Sequence, residues 1–441
     1  KTDGTEDNKS INKFINANTP TEQIRQLIDN TKDIYEIKAG ALYSEPLSKR
    51  FFLEFFYNFS ELNNKSNRPV RADEDQERID SLSNYYEQVT TYNRLGSVLR
   101  YSFNGLNASV GFAAQQYKLK GQYAVDKGMP WDSVGVTKSY PNYTPNVNLN
   151  YEFKNHLRLE ASYNNNITAP QFNDLQPIKN YSNPAYQVEG NPNLTPENSH
   201  TISTGLFYWN PASFSNIGAS VDYTITNHPI VYNQNSVFEE GKGMITISTP
   251  ENMEQSTGIS SWLWSNIPII KTKLAVDFNA GVNYNNSPTR INNVLDHIKS
   301  NGINFGANLN ITPSAKLVFT AGGSGGFNKM RYNDNKDHDQ DYYNYTLRSS
   351  IKWQFVTRMF FESNFNYSVY KNETFNLDQS VPFWNASVRR IIGKKSKFEM
   401  RLAAFDIFNK NVNINQYAAQ NFVQTSKTNT LARYFMLSLT Y

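Results

Sequence analysis

Apolar and polar residues alternate along most of this chain, and many of the apolar ones are aromatic. In RFFLEFFYNFS, residues 50–60, apolar side chains occupy every second position. Such side chains lie on one face of a β-strand, because successive residues point to opposite sides. The other face carries Glu54, Asn58 and Ser60 beside two further phenylalanines. Segments of this kind recur down to the C-terminus, so the sequence predicts many amphipathic strands.

The connections between these segments alternate between short and long. Short turns are expected near 44–48, 104–105, 154–156, 210–211, 266–268, 312–313, 355–356 and 393–395, and long connections near 62–92, 237–243, 286–299, 332–340, 371–380 and 410–429. Outer-membrane barrels combine short periplasmic turns with long extracellular loops, whereas a sandwich has no reason to alternate them. We therefore predict an all-β protein, a transmembrane antiparallel β-barrel of about 17 strands in the outer membrane.

The composition agrees with a barrel. The chain has 28 Tyr and 28 Phe in 441 residues, although hydrophobic residues reach only 39%. No apolar run approaches the roughly 18 residues of a membrane helix. An aromatic belt facing lipid explains the rings, and Trp262, Trp264, Trp353 and Trp384 are expected in its girdles. The alternative is that the rings pack a soluble two-sheet core.

Charge and cysteine content exclude several classes of protein. The net charge of +4 is not gathered into a basic patch, which argues against nucleic-acid binding. The absence of cysteine excludes disulfide scaffolds, thiol nucleophiles and zinc–thiolate sites. The adjacent Asp296 and His297 lack an activated nucleophile nearby in sequence, so we expect no enzyme activity.

The chain is expected to divide into an extracellular segment, residues 1–33, and barrel strands over 34–441. Thr19-Pro-Thr-Glu22 is typical of a helix start and predicts a short helix to about Asp29. A second loop helix is expected from about Asp73 to Gln88. The beginning, KTDGTEDNKS, is not a signal peptide, so we expect a fragment of a longer protein.

One hairpin allows a register to be predicted. Strands 146–153 and 157–165 meet through a three-residue turn, which places Glu152 across from Arg158 on the inner face.

Three motifs resemble a known family. They are the run from Ala169 to Pro177 followed by GNPNLTPE at 190–197, FDIFNK at 405–410 and the closing RYFMLSLTY at 433–441. Together they resemble the barrels of TonB-dependent receptors, especially the outer membrane β-barrel family of Bacteroidota. The resemblance implies the C-terminal part of a 22-stranded barrel around a plug. About five strands, the plug and the TonB box would then belong to another segment or a separate polypeptide.

The resemblance implies function and partners as well. The expected function is import of an unidentified nutrient, with TonB, outer membrane lipids and a surface lipoprotein or larger complex as partners. The alternative is a non-transporting accessory barrel of an assembly or secretion complex. Ligand-binding candidates in the loops are tyrosines suited to stacking and hydrogen bonding: Tyr85, Tyr86, Tyr140, Tyr181 and Tyr186.

A possible calcium site lies in the polar stretch 334–341. Calcium takes several oxygen ligands from closely spaced carboxylates, and this stretch supplies Asp334, Asp337, Asp339 and Asp341. It lacks the glycine and distant Glu of an EF-hand loop, so a solvated loop tip is the alternative. The glycine-rich run 322–326 lies within a strand pattern and indicates a bend or a close approach to the plug.

Overall fold

The computed structural model describes residues 2–12, 22–72, 77–80, 83–124, 130, 135–175, 179–180, 186–239, 243–374, 377–393, 398–410, 412–418, 423–429 and 431–441. These ranges are almost entirely β-structure. None of their helices is long and apolar enough to cross a membrane. The strands are β1 (Thr2–Asn12), β2 (Glu22–Pro46), β3 (Phe51–Arg68), β4 (Val70–Ala72), β5 (Asn84–Phe103), β6 (Leu106–Ala124), β7 (Val136–Glu152), β8 (Leu157–Thr168), β9 (Lys179–Asn180), β10 (Tyr186–Glu189), β11 (Glu197–Asn210), β12 (Ser215–Asn227), β13 (Ile230–Glu239), β14 (Gly243–Asn252), β15 (Gln255–Ile270), β16 (Leu274–Ile291), β17 (Val294–Ser314), β18 (Leu317–Tyr332), β19 (Gln340–Val356), β20 (Met359–Asn372), β21 (Leu377–Ile392), β22 (Phe398–Phe405), β23 (Val412–Ala418), β24 (Val423–Asn429) and β25 (Tyr434–Thr440); the helices are α1 (Phe172–Leu175) and a 3-10 helix, Lys336–His338.

One antiparallel meander runs through the sheet from β1 to β25. It passes over the short or inserted strands β4, β9, β10, β13 and β14 and over the separate hairpin β23–β24. Strand β1 pairs only with the first part of β2, residues 22–32. From β2 to β25 the described meander contains seventeen strands, which confirms the predicted number and the antiparallel barrel fold.

Short and long connections lie at opposite ends of the strands, as predicted. The short ones are 47–50, 104–105, 153–156, 211–214, 271–273, 315–316, 357–358 and 393–397, and the long ones are 69–83, 125–135, 169–196, 228–254, 333–339 and 406–433. The connection 373–376 lies at the same end as the long ones but has only four residues. The short end is therefore periplasmic and the other end extracellular. Two expected long loops are wrong. In place of 371–380, β20 and β21 pair up to Asn372↔Leu377 and leave four residues between them. In place of 286–299, β16 and β17 continue to a two-residue turn at Asn292–Asn293, with φ of 50° and 64°. Asparagine tolerates this left-handed conformation, which permits a tight turn here. Strands β16 and β17 have 18 and 21 residues, more than the roughly 9–11 that cross a bilayer, so they extend beyond it.

Neither predicted loop helix is formed in the described residues. Residues 22–29 are the first part of β2 and pair with β1 from Glu22↔Asn12 onward; residues 19–21 lie outside the described ranges. Residues 84–88 begin β5 and pair with β3, while 73–76 and 81–82 also lie outside. A neighbouring strand supplies partners for the backbone, whereas a single helical turn is costly to nucleate, and this favours strand extension.

The strand register separates two faces. Phe51, Leu53, Phe55 and Tyr57 pair with Tyr101, Leu99, Ser97 and Leu95 on the face that looks outward. Large apolar side chains remain exposed all along this face, for example Leu95 at 61%, Val110 at 59% and Leu402 at 56%. A two-sheet core would bury these side chains, so the sandwich alternative is excluded and lipid covers this face.

The opposite face is concave. Side chains from β2, β3, β5, β6, β7 and β8 border one common cavity. Strands that are not neighbours can share a cavity only on the inner side of a curved sheet. We call this side the lumen.

The tryptophan prediction is half correct. Trp353 pairs with Phe361 and Trp384 with Phe365 on the outer face, as expected of girdle residues. Trp262 and Trp264, however, face the lumen, because Leu263 between them belongs to the outer row. Hydropathy alone cannot distinguish the two faces when both carry rings.

The wall has two open edges among the described residues. Strand β25 pairs with β22, and residues 33–46 of β2 pair with β3; neither has a second neighbour there. The described strands therefore form an incomplete ring.

Candidate ligand site inside the barrel

A cavity of about 590 Å³ lies against the inner wall. Polar and aromatic groups from successive strands line it: Lys38, Asn58, Tyr92, Arg94, Gln115 and Tyr117. Tyr92 and Tyr117 lie with ring centroids 5.3 Å apart, and the Tyr92 hydroxyl donates to Gln115 at 3.1 Å. The rings give flat apolar surface, and the amide and cationic groups give directional hydrogen bonds, a combination typical of ligand sites.

A second cavity, of about 560 Å³, lies above the first toward the extracellular end. The two share Tyr117, Asn166 and Ile167. Residues 169–173, which follow β8, border only the upper one. The two cavities therefore make one path along the wall, with a loop segment at its outer end.

This loop segment folds inward and covers part of the lumen mouth. Phe172 and Leu175 of α1 are 4% and 0% exposed and pack with Leu119 and Val136 of the inner wall. A Cβ on Gly121 would lie 1.8 Å from the Phe172 ring, so the ring occupies the space that glycine leaves. We call residues 169–175 the lumen cap.

The GNPNLTPE motif holds the lumen cap to neighbouring loops. The Asn191 backbone N–H donates to the Asp174 carbonyl at 2.6 Å, and the Asn191 side chain donates to the Pro250 carbonyl at 3.1 Å. Glu197 accepts from the Ile230 N–H at 2.6 Å. The Tyr232 hydroxyl donates to Asp174 at 2.7 Å; burial and the neighbouring Asp174 raise the pKa of Tyr232, so this donor stays protonated. The motif thus ties the cap to the β13–β14 hairpin.

With this geometry established, the family can be assigned. The model described as the outer membrane protein beta-barrel family matches residues 1–325 and 295–441, which together cover the chain. This chain belongs to the outer membrane protein beta-barrel family. Membership agrees with the lipid-facing belt and places the protein in the outer membrane. Among curated proteins, none matches its sequence.

Two solved structures that are similar to this family member are receptors. The ferric yersiniabactin uptake receptor FyuA from Yersinia pestis is 8% identical, with 96% of this chain and 62% of that chain covered and a TM-score of 0.44. The siderophore receptor PiuA from Acinetobacter baumannii is 11% identical, with 94% and 64% covered and a TM-score of 0.47. This barrel protein thus spans less than two thirds of the length of either receptor.

The candidate tyrosines of the family member have different roles. Tyr86 borders the upper cavity, and its ring lies 5.6 Å from that of Phe172. Tyr85 is buried, donates to Glu87 at 2.6 Å, and has its pKa raised to about 12 by burial and by that carboxylate. Tyr140 donates to the Leu194 carbonyl at 3.1 Å and Tyr186 accepts from Gln234 at 3.4 Å. Tyr181 lies outside the described residues.

The four candidate calcium ligands do not converge. Within the described ranges no group of three or more His, Asp or Glu side chains is arranged to hold a metal ion. Arg331 pairs with Asp341 at 2.6 Å and with Asp339 at 3.6 Å, while Asp334 and Asp337 are exposed. An arginine thus neutralises two of the four carboxylates, and the calcium site stays a prediction.

Sequence analysis considered Asp296 only as a possible catalytic residue. In the structure its carboxylate organises the same loop. Asp296 Oδ1 accepts backbone N–H groups of His297 at 2.7 Å, Asn333 at 3.1 Å and Asp334 at 3.2 Å. Its Oδ2 accepts both the backbone and side-chain N–H of Asn335 at 3.1 Å. Burial opposes the charge, but these donors outweigh it and lower the pKa of Asp296. Asp296 is a brace between two loops.

The lumen also carries ion pairs that sequence analysis missed. Glu362 accepts from Arg401 at 3.3 Å, and Arg389 pairs with Glu399 at 3.1 Å. The predicted register Glu152↔Arg158 is confirmed. The ion partner of Arg158 is instead Glu160, two residues along the same face, at 2.9 Å.

Proposed function

We propose that this protein forms most of the wall of a TonB-dependent outer membrane importer. The observation that carries the proposal is the path of two joined cavities along the lumen, partly covered at its outer end by the lumen cap. A ligand that enters between the extracellular loops meets Tyr86 and then Tyr92, Tyr117 and Arg94. The loop segment anchored by Phe172 narrows this path.

The open edges support the need for further strands. Each unpaired backbone group in the hydrocarbon region costs several kcal/mol, so β25 and residues 33–46 of β2 require neighbours. We propose that about five strands, with a plug inside the ring, come from a segment outside this sequence or from a separate polypeptide. TonB would act on that segment, and a surface lipoprotein could cover the loops.

Energy-dependent uptake tests the proposal. A strain lacking the protein is grown on single nutrients in limiting amounts, beside strains carrying the wild-type gene or a lumen variant, Tyr117→Ala with Arg94→Ala. We expect a nutrient-specific growth defect that is restored by the wild type, weakened in the variant and equally severe when TonB is removed. Normal growth on every nutrient, together with loss of assembled outer membrane proteins, would contradict import and favour an accessory role.

A further inference from the structure

A row of lysines lies on the outward face of the wall, toward its extracellular end. Lys118, Lys329 and Lys371 are each the thirteenth residue of their strands β6, β18 and β20, counted from the periplasmic turn. The register places all three on the outward face. From the third to the eleventh residue, the outward positions of these strands hold no Lys, Arg, Asp or Glu. About 9–11 strand residues cross a bilayer, so the lysines lie where the outer headgroups begin.

Two of these lysines have a partner within the protein. Lys371 Nζ lies 3.0 Å from a carboxylate oxygen of Asp378. Lys329 Nζ lies over the Phe327 ring, 5.2 Å from its centroid, a distance at which a cation is attracted to an aromatic face. Lys329 also stands opposite Asp341 in the register. The charges of both lysines are therefore stabilised by neighbouring side chains.

Strand β6 instead presents two cations together. Lys118 and Lys120 are exposed on the same face, and neither forms an ion pair or a hydrogen bond with another described residue. Glu87, diagonal to Lys120 on β5, is already engaged by Lys65 at 2.8 Å. Glu61 lies two strands from Lys118 in the register, about 10 Å away. Two ammonium groups so close together repel each other, and an anion bound between them would remove that repulsion.

Hydroxyl groups flank this pair of lysines. Thr91 and Ser139 lie directly opposite the first lysine on the two neighbouring strands, and Thr137 lies opposite the second. Ser139 Oγ accepts from Gln116 Nε2 at 3.1 Å, so its own O–H remains to donate. Phosphate oxygens accept hydrogen bonds from ammonium and hydroxyl groups alike, and those from a charged donor are the stronger. The face thus offers several donors to one oxyanion.

Apolar surface lies directly below the lysines on the same face. Ala114, four residues before Lys118, is exposed and pairs with Tyr143. The rings of Phe112 and Tyr143 stack with centroids 5.8 Å apart and are 53% and 68% exposed. A free anion would touch only the lysines and hydroxyls, whereas a membrane lipid would also lay its acyl chains on these rings. The combination of charge above and rings below therefore favours a lipid.

We propose that Lys118 and Lys120, with the three flanking hydroxyls, bind a phosphate group of an anionic lipid in the outer leaflet. The ammonium groups neutralise the phosphate, the hydroxyls donate to its oxygens, and the acyl chains lie over the two stacked rings. Basic side chains beside a membrane surface attract anionic headgroups in this way. The inference depends on the assignment of the outward face, and it holds whether or not the barrel imports a nutrient.

The test is lipid binding by the intact protein, purified from outer membranes in detergent and freed of lipid. Native mass spectrometry measures the binding of phosphatidic acid and of diphosphorylated lipid A, with phosphatidylcholine as the lipid of no net charge and inorganic phosphate as a competitor. The variants are Lys118→Gln and Lys120→Gln, with Lys118→Arg as the conservative change. Lys138→Gln is the matched control, because Lys138 lies opposite Leu119 on the lumen face at the same height. Heat-modifiable gel migration verifies that each variant is folded.

We expect the two anionic lipids to bind about tenfold or more tightly than phosphatidylcholine. Each glutamine variant should weaken that binding about fivefold, which is the contribution of one basic side chain beside a membrane surface. Lys118→Arg and Lys138→Gln should leave it unchanged. Equal binding of charged and neutral lipids, or an equal loss in Lys138→Gln, would overturn the inference. Displacement of the lipid by inorganic phosphate at the same concentration would show that the site takes phosphate alone, and would overturn a lipid as its ligand.

Discussion

Replacing Asp296 with Asn should release the loop between β18 and β19. Asp296 is 2% exposed, and its carboxylate joins the β16–β17 hairpin to residues 333–335 through four N–H donors, with a fifth N–H from His297 of the same hairpin. Asparagine has nearly the same shape, so the substitution changes hydrogen bonding and charge with little change in packing. This makes the effect of the brace separable from that of a cavity.

The structure sets the size of the effect. The asparagine oxygen can keep the three backbone donors that meet Oδ1, but its NH₂ group then points at the two N–H groups of Asn335. Each buried donor left without an acceptor costs about 1–3 kcal/mol. Two such donors lower the free energy of loop opening by about 3 kcal/mol, which is a roughly hundredfold rise in the open population.

Hydrogen exchange of peptides that cover 333–341 measures that population. Asp337→Asn is the matched control, because it removes the same charge from an exposed position of the same loop. We expect about a hundredfold faster exchange in Asp296→Asn and no change in the control. Equal exchange in the two variants would refute the brace and leave the loop held by Arg331 and its partners.

The same carboxylate predicts a dependence on pH. Because the folded pKa of Asp296 lies below its ordinary value of 3.8, the stabilisation is complete above that value and is lost as pH falls through the folded pKa. Exchange in the wild type should therefore be constant from pH 7 to about 5, after correction for intrinsic rates, and loop protection should fall only below about pH 4. Loss of protection near neutral pH would assign the transition to another group.

Two further substitutions test the cap and the lipid face. Gly121→Ala would push its Cβ into the Phe172 ring and should expose the lumen cap to protease. Gly135→Ala is the control, because its Cβ would have only an ordinary contact at 3.5 Å, and it should leave the cap protected. Equal cleavage of the two variants would show that Phe172 does not hold the cap. Val110→Arg places a charge on the lipid face and should cost about 2–4 kcal/mol near the bilayer midplane. The amount of folded barrel, measured by heat-modifiable gel migration, should therefore fall, whereas Ser109→Arg on the lumen face should assemble normally. Equal assembly of both variants would contradict the assigned faces.

The barrel could be predicted from the sequence because period-two alternation and loop length are local properties. The pairing Glu152↔Arg158 followed from one turn length alone. Strand ends could not be predicted, since the alternation fades outside the bilayer while pairing continues. Residues 286–299 therefore look like a polar loop although β16 and β17 pair through them. The prediction of a helix to about Asp29 is wrong for the same reason, because residues 22–29 pair with β1 as a strand.

The candidate site was harder to predict than the fold. Loop tyrosines were chosen for their chemistry, but Tyr85 and Tyr140 satisfy internal hydrogen bonds. Only packing distinguishes such a tyrosine from a ligand-binding one, and packing between distant strands leaves no local pattern. The lumen cap was seen as a motif, yet nothing in its sequence shows that Phe172 turns inward over Gly121.

The missing signal for the lumen is the phase of the alternation relative to each periplasmic turn. After the turn 271–273, the first strand residue, Leu274, lies on the outer face. Phe278 and Val282, four and eight residues further along, lie on the same face. The outer series must be apolar because lipid is its solvent, so its residues say little about function. The inner series is free of that requirement, and polar or small residues such as asparagine and glycine can occur there. Trp262 and Trp353 are both tryptophans of the same sheet, but only the phase shows that Trp262 faces the lumen and Trp353 faces lipid.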